Sequence, residues 1–261
     1  AACSRRSGRS SGSAARRPFD TVPAALLARD GGGAMAERGG KHQRGPVTAG
    51  THLETLLWRV GIAHVAGVDE VGMGPLAGPV VAAAVVFPPG TRLDGVADSK
   101  VLRAAVREEL AVEIRRRAVS VGLGVVEPAE IDRLNIYQAG LRACRLAVHA
   151  LTVVPGYVLV DGREIPDLPM PQSAYPKGDS FVCSIAAASI VAKVYRDGLM
   201  RDLDRVYPGY GFGRHMGYAT AVHCAALRAQ GPSPIHRRSF APVRAVAGDA
   251  ADPQLALLAV E

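Results

Sequence analysis

Three acidic positions stand where the chain can do chemistry. Asp69-Glu70 end a strand read over Ala63–Asp69, Asp161 ends the strand Tyr157–Asp161 just before Gly162, and Asp179 follows Lys177-Gly178 at the start of a long helical pattern. Ends of neighbouring strands in an α/β sheet are where ligand sites form. A carboxylate at a buried strand end is costly unless something pairs with it, and no Arg-rich strand offers a pairing, so a cation shared by several carboxylates answers the cost. Acids without His or Cys neighbours suit a hard, oxygen-seeking ion, Mg²⁺ or Mn²⁺, rather than zinc. Two such ions about 4 Å apart would activate a water and steady the leaving oxygen of a phosphodiester. Successive strand residues point to opposite faces, so Asp69 and Glu70 are expected to share a site only if the strand breaks between them, and the glycines that follow permit a break. No Ser/His/Asp or Cys/His arrangement suggests a covalent intermediate.

The loop Gly72-Met73-Gly74-Pro75-Leu76-Ala77-Gly78 superficially matches a dinucleotide fingerprint. Pro75 interrupts it, the third glycine is one position late, and a strand rather than a helix follows, so that reading fails. The glycines do allow close backbone approach, with N–H groups facing a phosphate or hydroxyl.

The elements that would position these groups follow from periodicity. Thr51 is expected to cap a short helix with Leu53, Leu56, Leu57 and Val60 on its apolar positions. The strand Ala63–Asp69 and a second strand, Pro79–Phe87, flank the glycine loop. Asp98 or Ser99 caps a helix with Leu102, Val106, Leu110 and Ile114 on one stripe, closed by Arg115, Arg116 and Arg117. Val119–Val126 reads as a strand, and Pro128–Leu151 as helical with a break near Asn135. Tyr157–Asp161 is a short buried strand, and a Pro-rich loop runs from it to Lys177. The long helix carries Ile185, Ala188, Ala192, Tyr195, Leu199 and Leu203 on a core stripe. A Gly/Tyr loop, a helix over Thr220–Gln230 and a basic segment, His236–Arg244, complete the folded part. Strands cluster first and then alternate with helices. The expected class is therefore α/β, a mixed β-sheet flanked by helices with a helical C-terminal portion.

Composition narrows the classes. The 261 residues are 48% apolar and 5% aromatic, enough to bury a real core. The longest apolar run, near Gly78–Phe87, is too short to span a bilayer. Cys3, Cys144, Cys183 and Cys224 are scattered with no CxxC pair, which disfavours a disulfide scaffold or zinc knuckle and makes a reducing cytoplasm the expected location. The net charge of +7 is uneven: residues 1–50 hold 9 Lys/Arg against 3 Asp/Glu, and residues 51–261 hold 22 against 21. The globular part is nearly neutral, so a polyanion would have to be met by local groups. Residues 1–50, rich in Gly, Ser, Ala and Arg, are expected to be a disordered extension, 51–244 the folded domain and 245–261 a flexible tail. Met35 is a candidate start residue. No oligomerisation stripe stands out, which suggests a monomer.

Several blocks taken together carry a resemblance. Val68 to Pro79 (VDEVGMGPLAGP), Asp98-Ser99-Lys100, Val160-Asp161-Gly162, Lys177-Gly178-Asp179, Ile185 to Lys193 (IAAASIVAK), Tyr210-Gly211-Phe212, His215 to Tyr218 and His236 to Phe240 (HRRSF) resemble bacterial ribonuclease HII in unbroken order over about residues 62–244. The resemblance implies a ribonuclease H-like fold, endonucleolytic cutting of RNA in RNA–DNA hybrids, and nicking at single ribonucleotides embedded in duplex DNA, with 3′-hydroxyl and 5′-phosphate ends. It implies that Asp69, Glu70, Asp161 and Asp179 bind two Mg²⁺ or Mn²⁺ ions. It implies too that the backbone of Gly72, Met73 and Gly74 senses the ribose 2′-hydroxyl, the group that distinguishes RNA from DNA, and that Tyr218 packs on the sugar next to the cut. Two positions depart from the pattern, Met73 where the family usually has Arg and Met216 where it usually has Lys. A lost phosphate contact weakens binding rather than abolishing chemistry. The competing reading is a non-catalytic or attenuated hybrid-binding protein, against which the four retained carboxylates argue.

Supporting residues carry paired readings. Lys100 and Lys177 beside the site would meet phosphates. Lys193 and Arg196, on the polar side of the long helix, either do the same or are simply solvated. His215 and His223 are read as hydrogen-bonded structural residues. Arg237 and Arg238 line a duplex path or tether the C-terminal segment. Tyr210 and Tyr218 are both candidates for stacking on a sugar or base, and Tyr195 is read as core. Gln254-Leu255-Ala256-Leu257-Leu258 is similar to short peptides that hold a sliding clamp.

Overall fold

The computed structural model describes residues 48–96, 99–100 and 102–248. The expectations for residues 1–47, for a cap at Asp98 and for the clamp-like segment Gln254–Leu258 lie outside them.

The sheet is built around a strand too apolar to face water on either side. β2 (Val80–Val86) reads VVAAAVV and is buried at every position. A continuous run of this kind needs cover on both faces, and its alternating residues go to two cores. Val81, Ala83 and Val85 pack against the helix layer of α2 (Ala104–Arg117) and α5 (Cys183–Val206). Val80, Ala82, Ala84 and Val86 pack with α3 (Pro128–Leu134) and α4 (Ile136–His149) on the other side. β1 (Val65–Val71) and β3 (Ser120–Val126) flank β2 antiparallel. β4 (Tyr157–Asp161) lies parallel to β1, and β5 (Gln172–Tyr175) parallel to β4, giving the order β3-β2-β1-β4-β5. The architecture is the expected α/β one, a mixed sheet flanked by helices. α1 (His52–Arg59) precedes the sheet, and α6 (Phe212–His215), α7 (Ala221–Gln230) and α8 (Ala241–Ala247) form the helical C-terminal part. Among the described residues no helix is long and apolar enough to cross a membrane.

Close approach of helices to the sheet depends on missing side chains. A Cβ on Gly67 of β1 would run into the backbone of Ser184 and Ile185 at the start of α5, and one on Gly124 of β3 into the carbonyl of Ala143 in α4. α5 begins with an apolar N-cap, Val182, which offers no capping side chain. Instead Glu54 of α1, buried, accepts the Ser184 N–H at 2.7 Å, placing a carboxylate at the positive end of the helix from 130 residues away. Burial raises the pKa of Glu54 above the ordinary carboxylate value.

Several local expectations need correction. Thr51 stands at the N-cap of α1 but makes no capping side-chain bond. α2 begins at Ala104 with Arg103 as N-cap; Ser99 does not cap it and bonds to Ser189 instead, so Leu102 packs from the preceding segment. β5 lies inside the stretch read as a Pro-rich loop. Its four half-buried residues between Pro171 and Pro176 show no alternation to detect. Tyr195 is 37% exposed rather than core. α8 runs through Ala247, past the expected start of the tail. The break at Asn135 is present: Asn135 adopts φ 72 and its side chain accepts the Gln138 N–H at the start of α4.

Gly67→Ala is expected to destabilise the protein by about 3 kcal/mol, because the added methyl meets backbone that cannot rotate away. Gly198→Ala, where nothing lies within 4 Å of the new Cβ inside α5, is expected to stabilise it by roughly 0.5–1 kcal/mol. Urea unfolding midpoints of the two variants measure both.

Candidate active site

The two parallel strands end together. The ladder between β1 and β4 stops at Val68–Val160, so Asp69 stands one step beyond it, beside Asp161 at the end of β4. β1 does not break between Asp69 and Glu70, as the sequence reading required for a shared site; it stays paired with β2 through Val71–Val81. The two carboxylates therefore leave on opposite faces. Asp69 turns toward α5, where Ser189 hydrogen-bonds it. Glu70 turns toward α4, where the Cys144 thiol lies 3.8 Å from its Oε2. What lets both take part in one site is that the β4 side of the sheet has already ended beside them.

The carboxylates act on one another's charge. Burial first, then the neighbouring charge of Glu70, hold Asp69 well above the ordinary carboxylate range, with Asp161 and Asp179 adding to the push. Burial raises Glu70 too, and Asp161 is its largest charged opponent. Cys144 is pushed well up by burial and by Glu70, so it stays a neutral thiol that can donate. Asp179 is carried by a short 3₁₀ turn, Gly178–Ser180, ahead of α5. That turn is tied to β4, because the Gly178 N–H donates to Asp161 Oδ1 at 2.7 Å. Lys100 Nζ lies 3.8 Å from Asp179 Oδ2. All four predicted carboxylates thus meet at one end of the sheet. Among the described residues no three His, Cys, Asp or Glu side chains are grouped as a ready metal cage. The donor set nevertheless suits a hard cation: every group is a carboxylate oxygen, and the mutual repulsion that raises Asp69 and Glu70 is what such an ion would relieve.

The glycine loop is fixed from behind by two buried arginines. Arg237 donates to the carbonyls of Gly72 at 2.6 Å, Met73 at 3.2 Å and Gly78 at 2.8 and 3.0 Å. Arg196 donates to Pro79 at 2.9 Å, Met216 at 3.0 Å and Ala77 at 3.2 Å. Burial lowers both pKa values, that of Arg237 to about 9. With the carbonyls of Gly72 and Met73 held inward, the N–H groups of Met73 and Gly74 donate to no described residue. Tyr218, 42% exposed, lies against Gly74, whose Cβ position would be 3.8 Å from its ring. Lys177 adopts φ 61 just before the turn that carries Asp179 and is exposed.

Other candidates resolve into structure. Arg196 is fully buried and faces no phosphate, and Lys193 pairs with Asp197 at 2.6 Å. Arg237 is a tether, and the Arg238 N–H binds Asp132. Tyr210 is buried, stacked on Phe212, with its hydroxyl donating to the Gly231 carbonyl, so of the two tyrosines only Tyr218 is presented. His215 bonds to the Tyr210 carbonyl and His223 to that of Tyr218, as structural histidines. His223 also meets His236 at 3.1 Å, and burial pushes His236 down to about 4. Met73 packs into the core on the α4 side, its thioether over Gly140. Two supports went unread in the sequence: the Ser99–Ser189 pair behind Asp69, hydroxyls 2.9 Å apart, and Cys144 behind Glu70. A single hydroxyl inside the apolar run IAAASIVAK is the one signal that pointed to Ser189.

The chain as a whole is similar to known proteins. A family model described as Ribonuclease HII matches residues 66–243. The ribonuclease HII of Myxococcus xanthus (strain DK1622) is 56% identical over 196 residues, which cover 75% of this chain and 67% of that one. The crystal structure of the ribonuclease H2 from Pyrococcus horikoshii OT3 superposes with a TM-score of 0.62 at 27% identity, covering 71% of this chain and 98% of that one. The ribonuclease HII of Archaeoglobus fulgidus, solved in a complex with PCNA, gives 0.57 at 27% identity over 68% of this chain and 95% of that one.

Because the folded protein holds the Asp69 proton more tightly than the unfolded chain, metal-free stability is expected to fall as pH rises past the ordinary carboxylate range. Asp69→Asn removes that loss. Its Tm in EDTA should exceed that of the parent by several degrees at pH 7.5 and by much less at pH 4.5; equal gaps at the two pH values would contradict the repulsion.

Proposed function

The chain belongs to the ribonuclease HII family, and on that premise we propose that this ribonuclease H hydrolyses the RNA strand of RNA–DNA hybrids and nicks duplex DNA at single embedded ribonucleotides, leaving 3′-hydroxyl and 5′-phosphate ends. The observation that carries the reading is the meeting of Asp69, Glu70, Asp161 and Asp179 where β1 and β4 end, with Asp69 and Glu70 raised by burial and mutual charge. The repulsion among buried carboxylates is relieved by a proton or by a cation between them, and their oxygen-only donor set fits two Mg²⁺ or Mn²⁺ ions. The chemistry divalent ions supply when bound is polarisation of the phosphodiester and activation of water.

Each remaining part belongs to the chain itself. The free N–H groups of Met73 and Gly74, with Gly72 fixing the bend at φ 94, would read the ribose 2′-hydroxyl. Tyr218 would pack on the sugar beside the cut, while Lys100 and Lys177 would meet flanking phosphates. Ser189 and Cys144 hold the carboxylates of Asp69 and Glu70 in their rotamers, one on each face of the sheet. The enzyme would act as a cytoplasmic monomer, its domain near 51–247 preceded by an extension over 1–50 and followed by a tail. The tail's Gln254–Leu258 would hold a sliding clamp; the Archaeoglobus neighbour solved in complex with PCNA supports a partner of that kind. The hybrid-binding alternative would have no use for four carboxylates near phosphates.

A duplex DNA carrying one ribonucleotide should be nicked in Mg²⁺ or Mn²⁺ and left intact in EDTA. Asp161→Asn should lower kcat by about three orders of magnitude and abolish Mn²⁺ binding in calorimetry. Binding of the duplex without nicking in either ion would favour the alternative.

A further inference from the structure

Next to the carboxylates lies a recess of about 240 Å³. Met73, Gly140, Leu141 and Cys144 form its apolar wall, and Glu70 and Asp161 stand at its edge. Such a recess beside acids is a poor seat for a polyanion unless it carries a positive group. Met73 contributes none. Among the described residues that line it, Arg163 is the one basic side chain.

The placement of Arg163 is built rather than incidental. The chain leaves β4 at Asp161, turns through Gly162 at φ 72, and the Arg163 N–H donates back to the Asp161 carbonyl at 2.8 Å. The base of the Arg163 side chain is therefore fixed relative to Asp161. From there the guanidinium lies over the ring of Tyr137, with Cζ 4.9 Å from the ring centre. Tyr137 comes from the first turn of α4, the helix that also carries Gly140 and Cys144. Arg163 forms no ion pair with any described carboxylate. A guanidinium lying on an aromatic face keeps its N–H donors at its edge, and those donors match two oxygens of a phosphate. Tyr137, 42% exposed, is the platform that takes up its rotamer freedom before substrate arrives.

Resting on the reading above, that this site cuts a nucleic acid strand, we propose that Arg163 grips a backbone phosphate of that strand next to the scissile bond, and that Tyr137 is its positioning residue. The apolar wall then takes the adjoining sugar, and Arg163 supplies the positive charge that this side of the site otherwise lacks.

Binding of the full chain to an end-labelled hybrid is measured by fluorescence anisotropy without divalent ions, so that nothing is cut, and cleavage is measured separately in Mg²⁺. Arg163→Ala is expected to weaken binding about tenfold, the equivalent of ~1.4 kcal/mol, and to reduce the slope of log Kd against log salt by about 0.7–0.9. Arg163→Lys should restore the slope but only part of the affinity. Tyr137→Phe, which keeps the ring, should bind like the parent, whereas Tyr137→Leu should lose about threefold, half of the guanidinium effect on a logarithmic scale. In cleavage, KM should rise more than kcat falls. Replacing single phosphates by neutral methylphosphonates should reveal one position whose neutralisation hurts the parent and leaves Arg163→Ala unaffected. The proposal is overturned if Arg163→Ala keeps the parent's affinity and salt slope, or if every methylphosphonate hurts parent and variant alike. A parent that neither binds nor cuts the hybrid would overturn the functional reading itself, whereas a parent that cuts beside an indistinguishable Arg163→Ala overturns only this inference.

Discussion

Carboxylates gathered out of water repel one another, and low polarisability around them strengthens the repulsion that a surface would screen. Asp69 and Glu70 are adjacent in sequence, leave β1 on opposite faces, and still oppose each other and Asp161 across the end of the sheet. Everything around them tolerates that cost. Ser99 and Ser189 brace Asp69, Cys144 lies against Glu70, and the Gly178 N–H holds Asp161. None of these partners is a full positive charge. Lys100, 3.8 Å from Asp179, is the one ammonium beside the group among the described residues, and a single positive charge against four carboxylates leaves most of the electrostatic demand to be met by something brought from outside.

Positive charge is used elsewhere, and for backbone. Arg196 and Arg237 are fully buried yet bind carbonyls rather than acids, between them taking up Gly72, Met73, Ala77, Gly78 and Pro79. Burying a guanidinium is expensive, and several hydrogen bonds to each are needed to offset it. The return is a loop with a defined facing: carbonyls inward, the N–H groups of Met73 and Gly74 outward. A loop of glycines without that backing would sample many conformations, and its donors would not be aimed.

The sheet and its chemistry were largely legible in the sequence because their signals are local. The all-apolar run of β2, the strand Tyr157–Asp161 and the interruption at Asn135 each announce themselves within a few residues. Asp69, Glu70 and Asp161 could be picked out by their place near strand ends, and Asp179 by its place after Lys177-Gly178 at the start of the long helix. What stayed hidden depends on contacts between distant segments. Nothing near Glu54 says that it reaches Ser184, and Arg237 in a basic stretch fits a duplex path as well as a tether until its carbonyl partners are known. Tyr195 fits a helical stripe by spacing, yet it is exposed while the later stripe residues Leu199 and Leu203 still pack against core clusters. The requirement of a strand break at Asp69-Glu70 was sound reasoning about an infinite sheet; a sheet that stops beside them removes the need for it.

The dependence of the glycine loop on Arg237 bears on when the enzyme can become active during its own synthesis. The loop leaves the ribosome some 165 residues before the guanidinium that sets it. Through most of translation the nascent chain can collapse its strands and helices around β2, yet it has no means of aiming the donors proposed to recognise ribose. A polypeptide released early, or held on a stalled ribosome amid abundant messenger and ribosomal RNA, would lack its reading head. Competence to read ribose would thus arrive late, as one of the last acts of folding, well after the carboxylates have been assembled.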